Sequence, residues 1–258
     1  MRKVISVVNQ KGGVGKTTTV MNLAAALAVD ARVLMIDIDP QGNSSSGLGV
    51  NKFQVKYTLY DVLTDNIDIE DAILKAEGES VDIIAGDYNL AGLDIEFINL
   101  PNKDQILKNK MKSILKYYDY CLIDCSPGVN ILNINALNAS DFILIPMQCE
   151  YYALEGLTQV MRTFRLVKEN TNKNLSIIGI LFTMYDCRTN LSNAVISEVE
   201  GYFKNIPFET KINRSIKLCE APSYGLSCIK YAVSSKGAQQ YLALAEEVKE
   251  RIKMFENA

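Results

Sequence analysis

The sequence predicts an α/β domain on a mostly parallel sheet, and three features predict it. Apolar runs of strand length alternate with amphipathic runs of helix length, a glycine loop joins the first strand to the first helix, and carboxylates recur at strand ends. With 258 residues, 48% of them hydrophobic, the chain can bury one full core, so residues 1–258 are expected to form a single domain. No apolar run approaches the roughly 18 residues of a membrane span. Residues 1 to 8 enter a strand with no secretory pattern, and a cytoplasmic protein is expected. Six scattered cysteines without C-x-x-C spacing, and no histidine at all, argue against zinc and iron–sulfur sites and remove histidine-based catalysis. Carboxylates, lysines and a hard metal remain for any chemistry.

The first element is the apolar run Val4, Ile5, Val7, Val8, followed by Lys11-Gly12-Gly13-Val14-Gly15-Lys16-Thr17-Thr18 and the helical pattern Val20, Leu23, Ala24, Leu27. Three glycines let successive N–H groups turn inward, and the helix behind adds its partial positive end, which makes an anion cradle. Lys16 would lie against β- and γ-phosphates, and the Thr17 hydroxyl is placed for Mg²⁺. The strict pattern G-x-x-x-x-G-K-[ST] requires glycine where Gln10 stands, so the loop is a deviant P-loop. Gly13-x-Gly15 with Asp37 about 20 residues on offers a dinucleotide fold as a rival. Thr18 at its third glycine position and a lysine inside the loop weigh against it, and a bare capping turn does not need Gly-Lys-Thr.

Arg32 to Ile36 reads as the second strand, ending in Asp37-Ile38-Asp39-Pro40-Gln41-Gly42-Asn43. Carboxylates at alternate positions point to one side, and strand C-termini in a parallel sheet face the ligand crevice. Ser44 to Gly49 reads as a flexible segment, either a loop that orders around the γ-phosphate or a plain linker. Residues 58 to 76 read as short helices with Thr58 as candidate N-cap, Val81 to Ala85 as a third strand, and Pro101 as the start of a helix to about Lys116. Tyr120 to Asp124 is an apolar strand ending in one acid, the arrangement that holds Mg²⁺ opposite a P-loop, with Ser126-Pro127-Gly128 as a second switch. Phe142 to Pro146 is another strand, followed by Gln148 to Gly156, whose acidic and aromatic residues fit either core plus rim or a partner surface. Leu175 to Phe182, Ser192 to Phe203 and Pro207 to Ile212 read as strand, helix and short strand. Residues 235 to 255 form a closing amphipathic helix with Leu242, Ala245, Val248 and Ile252 on one face.

Net charge is −3, yet residues 188 to 236 hold seven Lys/Arg against four Asp/Glu, a local +3, so the rest sums to −6. A basic face is allowed on an acidic protein.

The stretches Lys11 to Thr18, Asp37 to Asn43, Asp124 to Pro127, Pro146 to Gly156, Met184 to Leu191 and Glu220 to Ser223 together resemble the ParA/Soj chromosome- and plasmid-partitioning ATPases, from Val4 to about Val248. The resemblance implies a doubly wound sheet with helices on both faces and an ATP-dependent homodimer in which Lys11 reaches the partner's nucleotide. It implies that the loop residues Lys11, Gly12, Gly13, Val14, Gly15, Lys16, Thr17 and Thr18 hold ATP or ADP with Mg²⁺, that Asp39 orients the attacking water, and that Thr17, Asp37 and Asp124 serve the metal. Expected partners are non-specific double-stranded DNA, through Arg188, Lys217 and nearby Arg214, and a ParB-type protein that stimulates hydrolysis. The ATP-bound state would then sit on the nucleoid. Asn213 and Ser215 occupy the family's adenine-contacting positions with different residue types, and Ser126 replaces a proline, which would loosen the second switch. A membrane-associated positioning ATPase of the MinD type, or a regulator using the same switch, is the alternative. Glu246, Glu247, Glu250 and Glu256 offset Lys249, Arg251 and Lys253 in the last helix, which suits a lipid anchor poorly, so no membrane partner is expected.

Overall fold

The computed structural model describes residues 2–52 and 54–257. Among them seven strands form one sheet: β1 (Lys3–Val7), β2 (Val33–Asp37), β3 (Ile73–Lys75), β4 (Val81–Ile84), β5 (Tyr120–Asp124), β6 (Phe142–Gln148) and β7 (Ser176–Thr183). Their spatial order is β3-β4-β2-β5-β1-β6-β7, parallel throughout except for β3, which runs antiparallel to β4 at the edge. β2 to β5 lie on one side of β1 and β6 and β7 on the other, so the winding reverses at β1. The crevice beyond the C-terminal ends at such a point is where these sheets take ligands.

The helices are α1 (Lys16–Leu27), α2 (Asn43–Gly47), α3 (Leu59–Leu63), α4 (Leu93–Glu96), α5 (Ile106–Met111), α6 (Ile131–Ala139), α7 (Ala153–Asn170), α8 (Asn190–Phe203), α9 (Ile216–Glu220), α10 (Cys228–Tyr231) and α11 (Lys236–Asn257). Alternation along the central strands splits the core into two layers. Val4, Leu34, Ile36 and Ile123 face the layer filled by α3 to α8, while Ile5, Val7, Met35 and Leu122 face α1, α9, α10 and α11. The sheet is thus wound on both faces, as expected. By the same alternation Asp37 and Asp124 fall on the α1 face, and they are register partners across β2 and β5.

Several expectations are corrected. Residues 58 to 76 do begin with a helix, and Thr58 and Asp61 close a capping box on it, but Ile73–Lys75 is strand β3, too short to show a period. The helix expected from Pro101 starts at Ile106 and stops at Met111, because residues 101 to 104 form a turn with Asn102 in the left-handed region. Ser44 to Gly49 is not a flexible stretch: Asn43–Gly47 is helical, with Ser44 and Ser45 fully buried.

Pro207 to Ile212 is no strand and makes only isolated bridges beside β7. Its Phe208 and Ile212 N–H groups reach the Ile180 and Phe182 carbonyls of β7 at 2.8 and 2.9 Å, and side chains of α11 bond groups on both this segment and β7. Arg251 donates to the carbonyls of Ile178, Ile206 and Pro207 at 3.0, 2.7 and 2.6 Å, and the Glu247 carboxylate accepts from the N–H groups of Glu209 and Thr210 at 2.9 and 3.0 Å. On the closing helix, Leu242 is only half-buried, and Tyr241 and Leu244 join Ala245, Val248 and Ile252 in the core.

Candidate phosphate-binding site

The loop between β1 and α1 has Gly13 and Gly15 in the left-handed region, at φ 75° and 87°, which L side chains rarely adopt. Gly15 precedes α1 with no side-chain cap, so the helix offers its first N–H groups to whatever lies in the loop. Three residues that the sequence reading did not single out fix the loop's shape. Gln148 at the end of β6 donates to the Gly13 carbonyl at 2.9 Å, Thr183 at the end of β7 donates to that of Val14 at 2.8 Å, and Asn9 accepts from the Lys11 N–H at 3.0 Å. Strand ends are the only signal that could have pointed to the first two.

Lys16 is buried, and its ammonium donates to the Lys11 carbonyl at 3.1 Å. Burial lowers its pKa, while Asp124, Cys125 and Asp39 pull it back up. Lys16 therefore lies within Coulombic reach of Asp39 and Asp124. Lys11 points elsewhere, into a 2.6 Å ion pair with Glu150 on the same chain.

The two buried carboxylates differ in their partners. Asp37 accepts from the Ser45 N–H at 2.9 Å, the Ser45 hydroxyl at 2.7 Å and the Asp39 N–H at 3.2 Å, and burial raises its pKa against those bonds. Both oxygens of Asp124 are buried without a hydrogen-bond partner. Its carboxyl is pushed up to about 8, first by burial and then by Asp37; the Thr17 and Ser44 hydroxyls lie close enough to temper the shift without closing a hydrogen bond. Asp39 is half-buried, and its carboxylate accepts from the Gln41 N–H at 2.9 Å.

A divalent cation fits this donor set. Unpartnered carboxylate oxygens next to a threonine hydroxyl are the hard ligands Mg²⁺ prefers. Among the described residues no group of three or more His, Cys, Asp or Glu is disposed to hold a metal by itself, so phosphate oxygens would have to share the work.

The loop after β5 is held rather than loosened. Ser126 is buried, its hydroxyl accepts from Asn130 at 2.9 Å, and the Asn133 amide donates to the carbonyls of Ser126 and Gly128 at 2.9 and 2.8 Å. Asn213 is committed to protein, donating to the Tyr185 carbonyl at 3.0 Å and exchanging bonds with Gln240, and Ser215 is the N-terminal flanking residue of α9.

The basic candidates stand apart from the cradle. Arg188 is exposed and grips Asp186 with two bonds of 2.9 and 2.6 Å, which holds that carboxyl well below the usual range. Lys217 pairs with Glu220 at 2.9 Å. Arg214 does not share a helix face with Lys217, because α9 starts only at Ile216 and Ser215 is extended. It is exposed and in no ion pair among the described residues. Among the described residues no helix is long and apolar enough to cross a membrane.

Comparison with known proteins agrees with this geometry. A family model described as an AAA domain matches residues 2–177. The chain is 49% identical to the sporulation initiation inhibitor protein Soj of Bacillus subtilis, covering 96% of this chain and 98% of that protein. It is 43% identical to the chromosome partitioning protein ParA of Myxococcus xanthus, with 96% and 88% covered. Among solved structures, cobyrinic acid a,c-diamide synthase of Mycobacterium smegmatis with bound ADP and magnesium superposes with a TM-score of 0.86 at 30% identity, covering 98% of this chain and 96% of that one. A deviant P-loop at the switch point of this sheet, and relatives alike over nearly its full length, make the chain a member of the ParA/Soj family of P-loop partitioning ATPases.

Proposed function

We propose that this protein is a Mg²⁺-dependent ATPase that hydrolyses slowly on its own and works as a DNA-positioning switch. Its ATP-bound form is a sandwich dimer that binds double-stranded DNA without sequence preference, on the nucleoid, and a ParB-type partner stimulates hydrolysis and so releases it. The observation that carries the reading is a buried Lys16 within Coulombic reach of a buried Asp124 whose oxygens have no hydrogen-bond partner, beside a helix without a side-chain N-cap.

In this reading the N–H groups of Gly12 to Thr18 and the Lys16 ammonium bind the phosphates. Thr17 and Asp124 would hold Mg²⁺, with Asp37 supporting them from behind. The metal would neutralise charge building on the phosphate oxygens. Asp39 orients a water toward the γ-phosphate, which its half-buried position at the end of β2 allows. Lys11 must leave Glu150 to reach a partner's nucleotide, and an exposed ion pair costs only about 0–1 kcal/mol to break. An adenine placed toward Asn213 and Ser215 would meet an Asn213 side chain already bonded to Tyr185 and Gln240, which leaves Ser215 as the freer of the two.

DNA contact falls to Arg188, Arg214 and Lys217, two of which must exchange a carboxylate for a phosphate. The MinD-type alternative is disfavoured by α11. Its apolar face from Tyr241 to Ile252 is buried in the core, while Lys249 is tied to Asp30 and Glu246 and Arg251 to Glu247, so only the last turn, with Met254 and Phe255 exposed, is open to a lipid surface.

Equilibrium binding of ATP with Mg²⁺ to Lys16→Ala tests the nucleotide part. Loss of affinity by about 10²-fold or more is expected for removing a buried charged hydrogen-bond donor. Affinity within twofold of the parent would overturn the assignment of the loop.

A further inference from the structure

Among the described residues four buried side-chain polar atoms lack a hydrogen-bond partner, and three of them lie together: both oxygens of Asp124 and the hydroxyl of Ser44. Ser44 is the first of three serines on α2, and the three are used differently. Ser45 gives both its hydroxyl and its N–H to Asp37, and the exposed Ser46 hydroxyl donates to the Gly42 carbonyl at 3.0 Å. Ser44, fully buried, lies within electrostatic reach of both Asp37 and Asp124 yet closes a hydrogen bond with neither. A buried hydroxyl kept without a partner costs stability, so a ligand that completes it is the physical reason to expect one there.

We propose that Ser44 belongs to the oxygen shell that takes the divalent cation beside Asp124, and that Asp37 acts only through Ser45, as a positioning residue that holds α2 against the site. The inference rests on the Mg²⁺·ATP reading above and deepens it. Of the two carboxylates at the ends of β2 and β5, Asp37 has its lone pairs taken by Ser45 and Asp39 and has little left for a metal. Asp124 and Ser44 have theirs free. Hard oxygen donors at a buried site suit Mg²⁺, and partners of this kind carry about 10- to 100-fold in metal affinity. The Ser44 side chain can reach the site only because residues 43 to 47 are helical rather than a loose linker.

The test measures two quantities with opposite expected signs. The first is the factor by which Mg²⁺ tightens binding of fluorescent ADP; Ser44→Ala should lower that factor about 10-fold while leaving metal-free affinity unchanged, and Ser46→Ala should change neither. The second is the thermal midpoint without nucleotide or metal, which Ser44→Ala should leave equal or raise, since it removes an unpartnered buried hydroxyl. A lowered midpoint with an unchanged Mg²⁺ factor would mean that Ser44 merely hydrogen-bonds Asp124, and would overturn the proposal. If the parent protein tightens on ADP with Mg²⁺ and Ser44→Ala does so equally, the proposal fails and the Mg²⁺·ATP reading stands. If Mg²⁺ has no effect on the parent protein, both fail.

Discussion

Asp37 and Asp124, register partners on adjacent strands and both fully buried, set the pH dependence of stability of the nucleotide-free protein. Each carboxyl is raised above 3.8, Asp124 to about 8. Between those values the folded state binds more protons than the unfolded chain, so stability falls as pH rises toward 8 and levels off above it. The thermal midpoint of nucleotide-free protein should therefore drop from pH 5 to pH 8. Asp124→Asn should flatten that drop and make the variant the more stable protein at pH 8. Parallel curves for the two proteins would show that Asp124 is not the group responsible. A second residue-scale consequence concerns Lys11, which Glu150 holds in cis at 2.6 Å with both side chains partly exposed. An exposed pair of this kind is worth about 0.2–1 kcal/mol. Glu150→Gln should therefore tighten ATP-dependent dimerisation, by up to about fivefold, as read by sedimentation. Weaker dimerisation would mean that Glu150 contributes to the dimer instead of restraining its lysine.

At the scale of elements, α11 does more than cover the sheet. Arg251 donates to one carbonyl of β7, that of Ile178, and to those of Ile206 and Pro207, Glu247 accepts from two N–H groups of the same neighbouring segment, and Arg251 stacks over Phe208 at 4.2 Å from its ring centre. Arg251→Ala should cost about 2–4 kcal/mol in chemical denaturation, because it leaves buried acceptors unmet and Glu247 without its partner. A cost under 0.5 kcal/mol would show that solvent replaces the guanidinium. This element also shows where the sequence could not be read. The central strands, the P-loop and the acidic strand ends were legible because burial on both faces and local glycine geometry write themselves into consecutive residues. Pro207 to Ile212 has the apolar spacing of a strand, but only Phe208 and Ile212 bond the β7 backbone, and the groups between them bond side chains about 40 residues away. Ser44 and Ser45 looked like a flexible stretch by composition, and only the Asp37 carboxylate beneath them makes that stretch helical and buried. Asn9, Gln148 and Thr183 were invisible for the same reason: they bond the P-loop from the ends of other strands.

For the molecule as a whole, the proposed function requires an ATP-driven change of assembly that creates a DNA-binding surface. A side chain at Gly12 would begin with no atom beyond its chain neighbours within 4 Å, space that the proposed dimer would need for the second copy. Arg188, Arg214 and Lys217 give one protomer three cationic groups, two already paired, which is little affinity for DNA. Doubling the number of phosphates neutralised steepens both binding and its salt dependence. Asp39→Ala separates the steps, since losing the group that orients water should slow hydrolysis by a factor of about 10²–10⁴ and leave phosphate binding intact. The most direct measurement is light scattering of Asp39→Ala with Mg²⁺ and either ATP or ADP, followed by duplex DNA binding of each form at two salt concentrations. The proposed switch requires twice the protomer mass with ATP and a single protomer with ADP. It requires DNA binding by the ATP form alone, weakened by salt and reduced by Arg188→Glu or Lys217→Glu without loss of the dimer. A single protomer with either nucleotide, or equal DNA binding with ADP and ATP, would contradict it.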